Sequence, residues 1–318
     1  MYTLGIDMGG THTAIGLVQE RKILSVTEFP TRTENGVDSY IDELYSYVQS
    51  LLQDKNISME EIWGIGMGVP GNVNQDTGMV EYANNLGFSN VPFQKNLEKK
   101  FGVPVRVDND ANLAALGEYL LSGSDVRSFV MVTLGTGIGA GIILDGEIYR
   151  GINFAEGELG HMSIAFDGRR CNCGRKGCFE VYASASALMG QIKRQMGREK
   201  DSLLWKLTEG NKKNINGRKI FQAVEQKDNA ACKILDRYTD YLAEGLINII
   251  NILQPEVLVI GGGISGAWEL FLPQTKEKIA QKVYSRESER NTEIRAARFG
   301  NDAGIIGAAA LCENINRQ

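Results

Sequence analysis

The sequence predicts an α/β protein with two domains flanking a cleft, and three observations carry that expectation. Short apolar runs alternate with segments of helical period along the chain. The 318 residues suffice for two cores of ordinary size. Two turns rich in glycine and threonine, Met8 to Thr13 and Leu134 to Gly141, each lie between apolar strands; they suggest an internal duplication in which each half supplies one phosphate-binding turn.

Composition narrows the partner. Hydrophobic residues make up 43% and charged residues 23%, with a net charge of −5 and no blocks of one sign. A nucleic-acid surface or a polybasic membrane anchor is therefore not expected. No apolar run approaches spanning length, and Met1 leads directly into a strand without room for a signal peptide, so the expected compartment is the cytoplasm. Glycine is abundant at 37 residues and proline sparse at 6, with glycines gathered at the ends of apolar runs. That pattern suits tight loops that hold a small ligand.

Tyr2 to Asp7 reads as a buried strand and Ala14 to Val18 as its hairpin partner. Gly9 and Gly10 let backbone N–H groups approach an anion, and Thr11 and Thr13 add hydroxyls. No Gly-Lys-Ser/Thr follows and the next element is a strand, so this is not a Walker loop. A plain hairpin fits the segment as well. Asp7 favours the phosphate reading, because a carboxylate beside such a turn is placed to hold a hydrated Mg²⁺.

Ile23 to Thr27 reads as a third strand, and Val37 to Asp54 as a helix with Ile41, Leu44, Val48 and Leu51 on its core face. Ile62 to Val69 is a strand that stops at Pro70-Gly71, at the carboxyl edge where open α/β sheets bind ligands. Asn84 and Asn85 read as turn formers or ligand contacts. Val103 to Val107 is a strand, and Asp108-Asn109-Asp110 leads into a helix over Ala111 to Leu121. Asp110 fits an N-cap and a general base equally. Phe129 to Thr133 is a strand running into the second turn, Gly135, Thr136 and Gly137. Helices are expected over Ser186 to Met196 and Ala230 to Leu253. The strand Glu256 to Ile260 ends in Gly261-Gly262-Gly263, read as the nucleoside loop of a nucleotide site. No acidic residue stands where a dinucleotide ribose contact would need one. Asn301 opens a small-residue helix suited to close packing.

His161, Cys171, Cys173 and Cys178 supply one imidazole and three thiols within a short segment, the ligand set of a structural Zn²⁺ site. Three clustered thiols leave an odd one for any disulfide pairing. Glu156, Glu158 and Glu180 flank these ligands, and a metal-closed loop would hold such side chains rigidly at a pocket wall.

Asp7-Met8-Gly9-Gly10-Thr11, Leu134 to Gly139, Ile260 to Ile264, and above all Gly157-Glu158-Leu159-Gly160-His161 with the cysteine cluster and Glu180, resemble the motifs of the ROK family (repressor, open reading frame, kinase). The match covers nearly the full length. That family comprises sugar kinases and sugar-responsive repressors on the actin-like ATPase fold, which is ribonuclease H-like. The resemblance implies a small domain over 1–112 joined by the C-terminal helix 302–318, and a large domain over 113–301 carrying the zinc segment. It implies Asp110 as catalytic base, with Gly71, Asn109, Asp110, Glu158, His161 and Glu180 on sugar hydroxyls and ATP at the three glycine loops. The reaction it implies is transfer of phosphate from MgATP to the 6-hydroxyl of a hexose, most like a glucokinase. His12 resembles the allose kinases instead, and N-acetylmannosamine and fructose kinases share the core motifs. A homodimer is common in the family. The rival readings are a non-catalytic sugar sensor, whose DNA-binding helices would precede the first phosphate motif, and a nicotinamide-dependent oxidoreductase, which leaves Asp110 and the zinc segment unexplained.

Overall fold

The computed structural model describes residues 1–83, 86–123 and 125–313. Asn84 and Asn85 lie outside the described residues. The chain divides into two compact units, one of Met1–Arg127, Gly141–Gly157 and Arg298–Gln318, the other of Ser128–Ala140 and Glu158–Ala297.

The first unit is built on a five-stranded sheet. Its strands are β1 (Tyr2–Met8), β2 (His12–Gln19), β3 (Lys22–Pro30), β4 (Ile62–Val69) and β8 (Val105–Asn109), in the order β3-β2-β1-β4-β8. The hairpin strands β2 and β3 run antiparallel, whereas β4 and β8 run parallel to β1, and this register sets Asp7 beside Gly68. One face is covered by α1 (Val37–Asp54), whose buried residues include Ile41, Leu44, Val48, Leu51 and Leu52, the stripe that its period predicts. A small sheet of β5 (Asn72–Asn74), β6 (Met79–Ala83) and β7 (Phe88–Val91), followed by α2 (Phe93–Phe101), fills the stretch between β4 and β8.

The C-terminal helix α10 (Asn301–Glu313) lies against this sheet and against α3 (Asp110–Leu121). The approach is backbone to backbone. A Cβ on Gly66 would stand 1.6 Å from the Ala308 carbonyl oxygen, and one on Gly117 would stand 1.8 Å from that of Ala303. Glu118 is fully buried and accepts from the N–H groups of Arg298 (3.0 Å) and Phe299 (3.3 Å), which fixes the entry to α10. These contacts keep all of α3 in the first unit, so the partition differs from the expected boundary at 112/113.

The second five-stranded sheet has the order β11-β10-β9-β12-β13, from β9 (Ser128–Leu134), β10 (Ile138–Leu144), β11 (Glu147–Ile148), β12 (Val257–Gly261) and β13 (Glu293–Ala296). Strand β12 is parallel to β9 and to β13. The order repeats that of the first sheet, a hairpin leading into parallel strands, as the paired glycine turns imply. Strand β10 begins in the second unit and ends in the first. After the cysteine segment come α4 (Glu180–Ala183), α5 (Ala185–Arg198), α6 (Leu203–Leu207), α7 (Gly217–Glu225), α8 (Asn229–Leu253) and α9 (Trp268–Lys282). Helix α8 is the buried spine. Its Gly245 admits the ring of Phe179, and its Tyr238 hydroxyl donates to the Ala183 carbonyl at 2.7 Å. Helices α6, α7 and α9 are not among the expected elements; α6 has only five residues and α9 carries Pro273 within it. No helix among the described residues is long and apolar enough to cross a membrane.

Candidate active site and metal centre

In the first unit, the β1–β2 turn, the end of β4 and the β8–α3 junction carry the predicted residues. The Gly9 N–H donates to the His12 carbonyl at 2.9 Å and closes the turn. Gly10 has open space where a Cβ would stand. Thr11 is exposed, whereas Thr13 is fully buried. The Thr13 hydroxyl lies 2.9 Å from that of Thr31 and 3.0 Å from that of Tyr40, and Thr31 in turn donates to the Gly9 carbonyl at 2.8 Å. Thr13 thus braces the turn from behind, through partners that no local sequence signal announces, instead of facing an anion.

Asp7 ends β1 with its carboxylate against α10, where a Cβ on Gly304 would stand 2.7 Å from Oδ2. Burial pushes this carboxyl up to about 7, and the nearby Asp110 adds to the rise. A cation beside Asp7 would offset the charge that burial and Asp110 disfavour. Oxygen ligands of this kind suit Mg²⁺, so the residues fit the ion that the sequence implies.

Asn109 is the N-cap of α3: its Oδ1 accepts from the N–H groups of Ala111 (2.9 Å) and Asn112 (3.2 Å). Its Nδ2 donates to the Gly71 carbonyl at 3.0 Å. The capping task therefore falls to Asn109, and Asp110 is the first helical residue, with Oδ1 2.9 Å from the Ala111 N–H. Gly71 has φ +118, and a Cβ there would meet the Tyr82 carbonyl oxygen at 2.2 Å. Only glycine fits. Behind this junction stands a buried polar group that the sequence did not signal. Asp108 accepts from Arg150 Nη2 (2.7 Å) and Nε (3.0 Å) and from the Asn109 N–H (2.7 Å), while Asn112 Nδ2 reaches Glu156 Oε1 (2.8 Å) and Asp108 Oδ1 (3.3 Å).

In the second unit, Gly135, Thr136 and Gly137 form the β9–β10 turn, with Gly135 again open at its Cβ position. Glu180, the first residue of α4, accepts from the Ile138 N–H at 2.9 Å, and Gly137 leaves room for its carboxylate. Gly262 has φ +93 and packs on the Leu134 backbone at about 2.5 Å from its Cβ position, while Gly263 is open. The second turn and the Gly261-Gly262-Gly263 loop are thereby neighbours.

The predicted zinc ligands converge. The ligand atoms of His161, Cys171, Cys173 and Cys178 all lie within 4.8 Å of one another. Cys171 Sγ is 3.6 Å from His161 Nδ1, and Cys173 Sγ is 3.6 Å from Cys178 Sγ. A tetrahedron with arms of about 2.3 Å has edges near 3.8 Å, so the four groups fit Zn²⁺. Burial pushes the Cys178 thiol up to about 12, so ion binding there must release a proton. With Nδ1 turned to the thiols, His161 presents Nε2 towards Glu158 Oε2 at 3.7 Å. Gly177 has φ +76 and a Cβ there would strike the Ala165 carbonyl, and Gly160 sits against the Ile138 carbonyl. The metal segment is thus pressed onto the start of β10.

The fold and these sites define a protein of the actin-like ATPase class, and comparison with known proteins specifies it further. The ROK family model matches residues 3–315. A glucokinase of Halalkalibacterium halodurans is 34% identical over 311 residues, 97% of this chain and 94% of that protein. The xylose repressor of Caldicellulosiruptor bescii is 32% identical over 271 residues, 84% of this chain and 67% of the repressor. A crystal structure of a ROK family glucokinase from Streptomyces griseus in complex with glucose and AMPPNP superposes with a TM-score of 0.87 at 31% identity, covering 99% of this chain and 100% of that one. This chain belongs to the ROK family.

Proposed function

We propose that this protein transfers the terminal phosphate of MgATP to the 6-hydroxyl of a hexose, with glucose as the preferred acceptor, in the cytoplasm. The observation that carries the reading is the convergence of Asp7 and Asp110 beside an open glycine turn. Similarity to glucokinases, one of them in complex with glucose and an ATP analogue, supports a hexose acceptor.

MgATP supplies the phosphoryl group and the cation that offsets its charge. The chain's own residues do the rest. Asp110 Oδ accepts the proton of the attacking hydroxyl, which raises the nucleophilicity of that oxygen as it meets phosphorus. Asp7 holds the hydrated cation, and the N–H groups at Gly9, Gly10, Gly135 and Gly137 receive phosphate oxygens, with the hydroxyls of Thr11 and Thr136 beside them. Glu158, His161 Nε2 and Glu180 Oε1 bind sugar hydroxyls, and Asn109 holds Gly71 and Asp110 in register. Zinc takes no part in the chemistry; its ligands keep His161 and Glu180 in place.

The test is ADP release with glucose, allose, mannose, fructose, N-acetylmannosamine and N-acetylglucosamine, ranked by kcat/KM. Glucose should lead. Another leading sugar would reassign the acceptor, with allose the outcome that His12 favours. A second reading, sugar-responsive binding without transfer, rests on the similarity to the xylose repressor. Sugar binding with no turnover across the panel would favour it.

A further inference from the structure

Glu156 is the one flanking carboxylate of the metal segment that the proposed reaction leaves without a task. It belongs to the first unit, and its Oε1 accepts from Asn112 Nδ2 at 2.8 Å. Asn112 is 3% exposed. The remaining atom of each group, Glu156 Oε2 and Asn112 Oδ1, is buried and meets no donor among the described residues. A buried acceptor left without a donor costs free energy. A single proton on Oε2 satisfies both, since a protonated carboxyl donates where an ionised one only accepts.

We propose that Glu156 is held as a neutral carboxylic acid whose Oε2–H donates to Asn112 Oδ1, closing a two-bond ring that positions the Asp110 turn. The Asn112 N–H bonds to the capping Asn109 Oδ1, and Asn112 Nδ2 also reaches Asp108, which accepts the Asn109 N–H. The ring therefore grips the first turn of α3 from both sides. Ionisation would put a second anion on Asn112 beside Asp108, which already holds Arg150 in an ion pair. The charged and titratable groups facing Glu156 are Asp108 from β8 and Arg150 from the segment after β11, with the Asn112 amide from α3. Burial, the largest influence, raises the Glu156 carboxyl, and Asp108 adds to it; the Asn112 bond, a bond from Glu156's own backbone N–H, and Arg150 oppose them, and the net direction is upward. Glu156 is a positioning residue, and its effect on turnover rests on the kinase reading, whereas its protonation does not.

The experiment pairs Glu156→Gln with Glu156→Ala. Glutamine reproduces both bonds of the neutral acid: its amide N–H faces Asn112 Oδ1 and its oxygen faces Nδ2. Infrared difference spectra should show the carbonyl band of a protonated carboxyl in the wild type that vanishes in Glu156→Gln; its absence at neutral pH overturns the proposal. Wild-type Tm should fall relative to Glu156→Gln as pH rises, because a carboxyl raised by folding contributes most below its unfolded value and loses that contribution through its folded value. Parallel pH curves overturn it. If the chain phosphorylates a hexose, the alkaline limb of kcat should reach higher pH in Glu156→Gln, and Glu156→Ala should lose kcat with little change in sugar KM. A Tm that depends on K⁺ or Na⁺ against a bulky organic cation would instead assign the unpaired oxygens to a bound ion. Loss of turnover in every variant and the wild type, with the infrared band present, would fail the kinase reading and leave the ring standing.

Discussion

The two glycine turns have similar sequences and are held in opposite ways. The first is braced from its own core: Thr13, Thr31 and Tyr40 form a hydroxyl chain under it, and Asp7 enters from the same strand. The second is held by distant chain: Glu180 ties down Ile138, Gly160 presses on the Ile138 carbonyl, and Gly262 packs on Leu134. A duplicated strand–turn–strand unit thus supports two specialisations. The first turn stands beside Asp7 and Asp110, and the second stands beside Glu180 and the segment of the His161–Cys178 cluster.

The sharpest way to separate these tasks is Asp110→Asn. Turnover should fall by about 10²–10⁴-fold while ATP and sugar affinity are retained, because only proton acceptance is removed. Calorimetric titration with each substrate, beside the rate, checks it; retained turnover removes Asp110 from the base role. Cys173→Ser tests the other turn. Bound zinc should drop below one equivalent and sugar affinity should weaken by roughly 10–100-fold through His161 and Glu180. Metal analysis and sugar binding on the same sample decide it, and intact affinity without zinc breaks the comparison.

Smaller effects test the first turn. In metal-free protein, stability should decline as pH rises from about 4 through the folded Asp7 value of about 7, since a carboxyl raised by folding loses its contribution over that window. Mg²⁺ with nucleotide should flatten the curve, as should Asp7→Asn; melting scans across pH read it. Thr13→Val should cost about 1–3 kcal/mol by leaving the Tyr40 and Thr31 hydroxyls short of a partner, with nucleotide affinity little changed. Denaturant unfolding gives the first number, and a large loss of affinity with full stability would return Thr13 to the phosphate site.

Much of this was legible in the linear pattern. Helix α1 and strand β4 appear at the residues where apolar period and glycine or proline stops place them. The cluster of His161, Cys171, Cys173 and Cys178 was legible because thiol spacing and residue chemistry are local. Asp110 was ambiguous for a local reason as well: Asp and Asn are both good caps, and only the folded turn shows Asn109 taking that place.

What sequence alone determined is therefore the fold class, the family, the metal ligand set and the carboxylates available for chemistry, all of which depend on residue type and near-neighbour spacing. Tertiary structure decided which polar side chains brace the backbone. It turned Thr13 inward onto Tyr40, brought Arg150 to Asp108 and Glu156 to Asn112, and set Glu180 on Ile138. Each of these joins residues far apart in the chain, and such pairings are fixed by packing of whole elements, through buried polar groups that must find partners wherever the fold puts them.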